Sequence, residues 1–220
     1  GLEKAAGRGY AANAGFTLEA GDAAWCCELV THHDGVLIDA TAGNIPTAES
    51  RLLIQALNEQ LGSDTRRWVV GEDAHHLLVV RDEARKAEHP SPQPPHAFLG
   101  QAWERHLPAG SQGIAVKALM EQAMQILEHH SVNRVRLDLG ENPANLLWLW
   151  GPAAGTARAT YGDLTSRTGA VCATAFGLRG LAQALQMTVH HGPASLEERP
   201  LERLHHTVGE LLARHDLLVV

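Results

Sequence analysis

The sequence predicts an α/β protein whose last third forms part of a doubly wound parallel sheet. Short apolar runs, which are typical of strands, alternate with segments that carry leucines at helical spacing. The last third has the order β-α-β-α-β with short connections, which is typical of parallel strands joined by helices. The run Leu146–Trp150 is apolar at every position, as expected of a strand that is buried on both faces.

The first half of the chain predicts a hairpin, a helix and two further strands. The Asp34-Gly35 pair marks a tight turn between two apolar runs. Leucines at every fourth position predict a helix that begins at an N-cap on Thr47 and ends at Leu61. An acidic loop, Gly71–Ala74, separates the last two strands. The predicted strands are Ala23–Val30, Val36–Asp39, Arg67–Val70 and His76–Arg81.

The middle of the chain predicts a connector, a second helix and the approach to the tryptophan-rich strand. Four of the ten prolines fall within Glu88–His96, which predicts an extended connector. Ser111 is the predicted cap of a helix that runs from Gln112 to Glu128 with apolar residues on one face. Arg134–Leu139 alternates polar and apolar residues with the period of a strand.

The last third begins with the polar stretch Ala154–Ser166, a predicted linker or crossover. Its final strand is apolar throughout, so we expect that strand to be buried on both faces. Ligands of open parallel sheets sit beyond the carboxyl ends of the strands. The sequence ends at that point, so we expect an incomplete sheet in a fragment of a larger protein. The predicted elements are the strands Gly169–Thr174, Met187–His190 and Leu217–Val220 and the helices Leu178–Leu185 and Glu197–Arg214.

Composition and charge exclude several classes of function. The chain has 18 basic and 25 acidic residues, a net charge of −7 and a pI near 6.0, which argues against nucleic-acid binding. No apolar run reaches the roughly 18 to 20 residues that span a bilayer, and the first ten residues lack a signal-peptide pattern, so we expect no membrane partner. The three cysteines, Cys26, Cys27 and Cys172, form no C-x-x-C pair. They favour a reduced, cytoplasmic setting without structural zinc.

Local motifs leave the function open. The chain contains none of the phosphate-loop, dinucleotide, serine-hydrolase or zinc-protease motifs. Asp34 and Asp39 flank the predicted turn and could bind a metal, although aspartates in turns more often accept hydrogen bonds from the local backbone. Six arginines could bind phosphate through two hydrogen bonds or simply be solvated. They are Arg66, Arg67, Arg81, Arg85, Arg134 and Arg136.

Several short motifs, taken in order, resemble those of one family. They are Gly21–Thr31, Asp34-Gly35, Ala42-Gly43, Leu57–Gly62, His76–Val79, Pro94–His96, Leu107-Pro108, Val132-Asn133, Pro143–Asn145 and Trp148–Gly151. The chain thereby resembles the cofactor-independent phosphoglycerate mutases of the archaeal type, within the alkaline phosphatase-like metalloenzyme superfamily. The pattern P-A-N-x-x-W-L-W-G is the most specific of these motifs.

The resemblance implies an inserted α/β lid domain together with part of a doubly wound parallel-sheet metalloenzyme core. Residues 1–21 match the lead-in from the core to the insert, residues 22–155 the inserted substrate-binding lid, and residues 156–220 the partial core. By the same resemblance, the metal ligands and the serine nucleophile lie outside this chain. We therefore expect no catalytic residue and no cofactor in it, and a divalent metal (Mn, Zn or Mg) in the full-length parent.

The resemblance also implies a set of substrate-binding residues. His76, His96 and Asn145 are the matched polar positions expected to face the cleft, with Arg81 and Asp34 as further candidates. Their expected role is to contact the phosphate or carboxylate of a small phosphorylated metabolite. Trp148 and Trp150, by contrast, are assigned by their periodicity to packing.

The chain departs from the family pattern at several of these motifs. Cys26 and Glu28 stand where the family has arginine and asparagine, and Ala74-His75 replaces tyrosine and arginine. Asn44, Pro46, Ala97 and Glu141 also differ from the pattern. Because opposite charge supplies much of the affinity for an anionic substrate, these changes predict weaker binding of phosphoglycerate.

The sequence therefore predicts the substrate-binding portion of a phosphoglycerate mutase-like, metal-dependent phosphotransferase or isomerase of glycolysis, inactive as this fragment alone. Two alternatives stay open. One is a non-catalytic binding module that kept the lid fold, and the other is a related phosphotransferase acting on another small phosphorylated metabolite. Expected associations are a homo-oligomer or contact through the incomplete core sheet, with neither nucleic acid nor membrane as a partner.

Overall fold

The computed structural model describes residues 6–81, 92–155, 159–192 and 198–220, and shows a mixed α/β architecture with two sheets. The larger sheet is antiparallel and the smaller one is parallel. Within the described residues, no helix has both the length and the apolar character needed to cross a membrane.

The antiparallel sheet is built around β1, which pairs with three other strands. Cys26 lies at its centre, opposite Leu77 of one neighbouring strand and Trp150 of another. The predicted hairpin turn at Asp34-Gly35 is confirmed, and both residues have positive φ angles. The strands are β1 (Ala23–His33), β2 (Val36–Asp39), β3 (Arg66–Glu72), β4 (His75–Val80) and β5 (Leu146–Ala154).

Strand β5 carries the tryptophan pair. Every residue of β5 except the last is buried, so the prediction of a strand buried on both faces is confirmed. Trp148 packs against Phe98 and Trp103, and its indole nitrogen donates to the Gln93 carbonyl at 2.8 Å. The aromatic pair is therefore part of the core.

Helices α2 (Thr47–Leu61) and α3 (Gly110–His129) pack against this sheet, and α4 (Ser131–Asp138) packs against both helices. The helix predicted at 47–61 is confirmed, but its N-cap is Pro46 rather than Thr47. The Thr47 hydroxyl instead donates to Asp73 at 2.9 Å, since that loop lies against the start of α2. Likewise, α3 begins at Gly110 after Ala109, before the predicted cap at Ser111.

Residues 134–138 belong to helix α4, and Leu139 is its C-cap, so the strand period expected there is wrong. Buried Asn133 and Arg136 lie three residues apart, which places them on one helical face. The Asn133 amide donates to the Leu127 and Ala144 carbonyls at 2.8 and 2.9 Å. The alternating apolar residues Val135, Leu137 and Leu139 are exposed instead. The buried polar residues Asn133 and Arg136, rather than the alternating apolar residues, therefore mark the inner face of this helix.

The parallel sheet has the order β7-β6-β8, which confirms the predicted parallel β-α-β-α-β arrangement. Its strands are β6 (Gly169–Ala173), β7 (Thr188–His191) and β8 (Leu217–Val219). The associated helices are α5 (Tyr161–Thr165), α6 (Phe176–Ala184) and α7 (Glu198–Leu212). The expectation that the last strand is buried on both faces is wrong: β8 lies at the sheet edge, where Leu217 is exposed.

Two predicted connections differ from the structure. The stretch predicted as a polar linker includes the end of β5 and helix α5, while residues 156–158 lie outside the described residues. The first four residues of the predicted proline-rich connector, 88–91, also lie outside them, and its end forms a 3-10 turn at Pro95–Ala97. The loop between β3 and β4 is shorter than predicted, because β3 continues through Glu72.

Helix α1 (Ala6–Asn13) is packed between the antiparallel sheet and α6. A Cβ atom on Gly7 would lie 2.2 Å from the Ala24 carbonyl oxygen of β1. A Cβ atom on Gly180 of α6 would lie 1.9 Å from the Gly9 carbonyl oxygen. Both contacts need the space that glycine leaves, so α1 approaches its two neighbours backbone to backbone.

Candidate functional site

A buried carboxylate lies where α1 meets the antiparallel sheet. Glu28 of β1 is only 4% exposed. Its Oε1 atom accepts hydrogen bonds from the Tyr10 hydroxyl and, at 3.0 Å, from the Trp150 indole nitrogen. The Nδ1 atom of His75, from β4, lies 3.5 Å from the same oxygen. Three elements therefore converge on one carboxylate oxygen.

Aromatic rings close this cluster from the side of the parallel sheet. Phe176 of α6 packs edge-on against Tyr10, with ring centroids 4.8 Å apart, and stacks on His75 at 5.6 Å. Burial, followed by the charge of Glu28, raises the pKa of Tyr10 well above its ordinary value. Tyr10 therefore stays protonated and keeps its hydrogen bond to Glu28 at neutral pH.

A second charged contact crosses the same boundary. The side chain of Arg179, in α6, is 3% exposed and pairs with the carboxylate of Glu72 at the end of β3. Its other terminal nitrogen donates to the Thr174 carbonyl, in the loop between β6 and α6. The Glu28 cluster and this ion pair together form what we term the inter-sheet contact: Tyr10, Glu28, Glu72, His75, Trp150, Phe176 and Arg179.

A second polar cluster ties two loops of the antiparallel-sheet part together. The carboxylate of Asp39 accepts from the Thr41 backbone, the Gly43 backbone and the Asn142 amide at 2.7 to 2.9 Å. Partial burial acts to raise the pKa of Asp39, but these hydrogen bonds outweigh it and hold the pKa below its usual value. Asp39 is thus a local backbone acceptor.

Arg136 forms hydrogen bonds to the same two loops. Its guanidinium donates to the Ala42 and Asn142 carbonyls at 2.8 and 2.9 Å and to Glu49 at 2.7 Å. Glu141 lies 3.1 Å from the same terminal nitrogen that Glu49 contacts. A buried arginine with these partners has a structural role in positioning the loops.

A cavity of about 370 Å³ lies beside this cluster. Asn145 spans the backbone of His32, accepting from its N–H at 2.9 Å and donating to its carbonyl at 3.0 Å. Partial burial lowers the pKa of His32, which favours the neutral form of its ring. The cavity lining includes Thr31, His32, Glu128, Leu137, Asn142 and Asn145.

The five residues predicted to bind substrate lie in different places. His76 is fully buried in β4, and its Nδ1 accepts from the Gly71 backbone at 3.1 Å. His96 and Arg81 are exposed, the first in a 3-10 turn and the second just after β4. Asp34 is exposed in the hairpin turn, and Asn145 lines the cavity. Among the described residues, no hydrogen bond joins any two of the five, and their binding roles stay predictions.

Two of the residues that the structure brings together, Glu28 and His75, are departures from the family pattern, but nothing local in the sequence shows that they meet. Tyr10, Glu72 and Arg179 carried no motif at all. Their partners lie far along the chain: Tyr10 and Glu28 are 18 positions apart, and Glu72 and Arg179 are 107 apart.

The residues present do not fit a metal centre of the kind the resemblance implies for the parent. Within residues 6–81, 92–155, 159–192 and 198–220, no group of three or more His, Cys, Asp or Glu side chains could hold a metal ion. The thiols of Cys26 and Cys27 are buried, and burial raises the pKa of each, so both are protonated and poor ligands.

Comparison with known proteins identifies similar chains. A family model described as 2,3-bisphosphoglycerate-independent phosphoglycerate mutase matches residues 2–133. A protein of that name from Methanosarcina barkeri is 34% identical over 179 residues, covering 81% of this chain and 44% of the relative. Another, from Methanosarcina mazei, is 30% identical and covers 96% of this chain and 53% of the relative. The chain thus spans about half the length of these curated relatives.

A solved structure shows a similar fold. It is the cofactor-independent phosphoglycerate mutase from Thermoplasma acidophilum, with a TM-score of 0.58 and 23% sequence identity. The match covers 97% of this chain and 57% of the other.

Proposed function

Because the chain belongs to the 2,3-bisphosphoglycerate-independent phosphoglycerate mutase family, we propose that it forms the substrate-binding part of a metal-dependent, phosphoglycerate mutase-like enzyme of glycolysis. Residues 22–155 would act as the lid and residues 156–220 as part of the core on which it closes. The substrate would be a small phosphorylated metabolite, handled in the cytoplasm.

The observation that carries this proposal is the position of the inter-sheet contact. In open parallel sheets, small molecules bind beyond the carboxyl ends of the strands. Strand β6 is the central strand of the parallel sheet, and α6 is the helix that follows it in the chain. The β3–β4 hairpin contacts α6 through the pair of Glu72 and Arg179. A cleft between lid and core would therefore open along this contact.

The chain's own residues would bind and orient the ligand and exclude water from it. Arg179 and His75 are groups of the contact that could face an anionic ligand in an open form, while Tyr10 and Phe176 would cover it when closed. The described residues offer no metal site, so we derive no bond-making step for this chain.

The charges of the contact favour one alternative within the same superfamily. Two carboxylates, Glu28 and Glu72, stand at this boundary beside one buried arginine. Such a balance suits phosphoglycerate poorly, because that molecule carries both a phosphate and a carboxylate, and like charges oppose its binding. A related phosphotransferase with a less anionic phosphorylated substrate is therefore the second candidate.

Activity measurements test the proposal. The 220-residue chain and the complete product of its gene are incubated with 3-phosphoglycerate and Mn²⁺, and the formation of 2-phosphoglycerate is followed by phosphorus NMR. We expect turnover by the complete product only. Absence of turnover there, together with turnover of another phosphorylated metabolite, would favour the second candidate, whereas no turnover of any such metabolite would favour a non-catalytic module.

A further inference from the structure

The carboxyl end of β6 presents two features that attract anions. Helix α6 starts at Phe176, and its cap residue Ala175 makes no side-chain capping bond. The first helical hydrogen bond runs from the Arg179 N–H to the Ala175 carbonyl, so the N–H groups of the preceding turn have no carbonyl partner within the helix. These groups carry the positive end of the helix dipole.

The second feature is the Arg179 guanidinium, which lies at this same helix start. The side chain is 3% exposed, and its Nε atom is buried without a hydrogen-bond partner among the described residues. An unpartnered donor on a buried arginine carries a desolvation cost that a bound oxyanion would offset. Thr174, Ala175 and Gly177 beside it are exposed, so a solute can reach this end of the helix.

One carboxylate already binds here. Glu72, at the end of β3, is paired with Arg179 through a single oxygen, while 44% of its side chain is exposed. A carboxylate and a phosphate make the same kind of contact with a guanidinium. Glu72 therefore stands in the position that the oxygen of a small anionic ligand would take.

We propose that Arg179 and the first turn of α6 form a binding site for the oxyanion of a small metabolite, and that Glu72 occupies this site when no ligand is bound. Ligand binding displaces Glu72 and breaks the ion pair between the β3–β4 hairpin and α6. Glu72 is thus an intramolecular competitor of the ligand for Arg179. The inference rests on the proposed function for its ligand class, a phosphorylated metabolite.

The test uses inorganic phosphate as the probe and isothermal calorimetry as the readout. Glu72→Gln keeps the shape of the side chain but removes the competing charge, so the apparent affinity for phosphate should rise by about fivefold or more. Glu141→Gln is the matched control: it also removes one carboxylate beside a buried arginine, Arg136, and changes the net charge equally. Its phosphate affinity should equal that of the unmodified chain.

Two further arms identify the site and the ligand group. Arg179→Gln in the Glu72→Gln background should abolish the gain, and circular dichroism verifies that this variant folds. If it does not fold, Arg179→Lys replaces it and should lower the gain, because lysine lacks the bidentate fork. Titration with acetate separates carboxylate from phosphate: an equal gain for both anions shows a general oxyanion site, and a gain for phosphate alone a phosphate site.

Three results would overturn the proposal. They are equal phosphate affinities for the unmodified chain and Glu72→Gln, equal gains in Glu72→Gln and Glu141→Gln, and a gain that survives the loss of Arg179. Mutase turnover is measured separately, so the two conclusions can fail independently. If mutase turnover is found but Glu72→Gln does not change the phosphate affinity, the proposal for Glu72 is wrong. If Glu72→Gln raises the phosphate affinity but no mutase turnover is found, only the proposed mutase activity is wrong.

Discussion

The Tyr10 hydroxyl, on the first helix, donates a hydrogen bond to the buried carboxylate of Glu28, on the central strand of the antiparallel sheet. The same carboxylate oxygen accepts from Trp150, so α1 and β5 both donate to one acceptor on β1. This arrangement makes the stability of the inter-sheet contact measurable through single side chains.

Replacing Tyr10 by phenylalanine should destabilise the chain by about 1.5 to 3 kcal/mol, the usual cost of losing a hydrogen bond to a charged group. The ring packing on Phe176 is kept, so the change isolates the hydroxyl. The measurement is urea denaturation followed by tryptophan fluorescence. Tyr161→Phe, on α5, is the control and should change the free energy of unfolding by less than about 0.5 kcal/mol. Equal effects in the two variants would contradict the assigned hydrogen bond.

Replacing Arg136 by methionine should destabilise the chain by roughly 3 to 5 kcal/mol, because it leaves buried carbonyls and nearby carboxylates without their donor. The affected groups are on Ala42, Asn142 and Glu49. Thermal unfolding measures the loss. Arg134→Met, at an exposed position of the same helix, is the matched control and should change stability little. A small effect at Arg136 would show that the loops hold together without it.

Replacing Gly180 by alanine should destabilise the chain by roughly 1 to 3 kcal/mol, since the new methyl group collides with the Gly9 backbone. Gly209→Ala in α7 provides a control of opposite sign. Nothing lies within 4 Å of the added Cβ there, so alanine should stabilise that helix by about 0.5 to 1 kcal/mol. Comparing melting temperatures tests both, and a neutral Gly180 variant would mean that α1 and α6 can separate at little cost.

His76 should make stability fall as the solution becomes acidic. Burial, followed by the nearby His75, lowers the pKa of His76 to about 3. In the unfolded chain its pKa is near 6.5, so the unfolded state binds the proton first and the folded state loses stability as the pH falls from about 6.5 towards 3. Between pH 7 and pH 5 the loss from this residue should be about 2 kcal/mol.

Urea denaturation at a series of pH values measures this loss. His76→Gln keeps a hydrogen-bond acceptor for the Gly71 N–H but does not titrate, so its stability should depend less on pH. His206→Gln, at an exposed position, should keep the full dependence. If His76→Gln and the unmodified chain have the same slope, His76 is not the group responsible.

Local patterns sufficed for elements whose residues interact mainly with neighbours along the chain. The hairpin turn at Asp34-Gly35 and the helix at 47–61 are examples. The parallel sheet of the last third was predicted differently, from the order of its strands and helices. Where the prediction failed, a distant partner decided the outcome. Residues 134–138 are helical, and the neighbouring Asn133 and Arg136 of the same helix hydrogen-bond to Ala144 and Ala42 in nearby loops.

The sequence by itself determined the family, the alternation of strands and helices, and the burial of Trp148 and Trp150, because each depends on motifs or on spacing within a few residues. Only the tertiary structure decided which side chains meet. Tyr10 reaches Glu28 across 18 positions, and Glu72 reaches Arg179 across 107. Burying a charged side chain is favourable only where a partner compensates it. These partners lie far apart along the chain, so the sequence spacing does not reveal them.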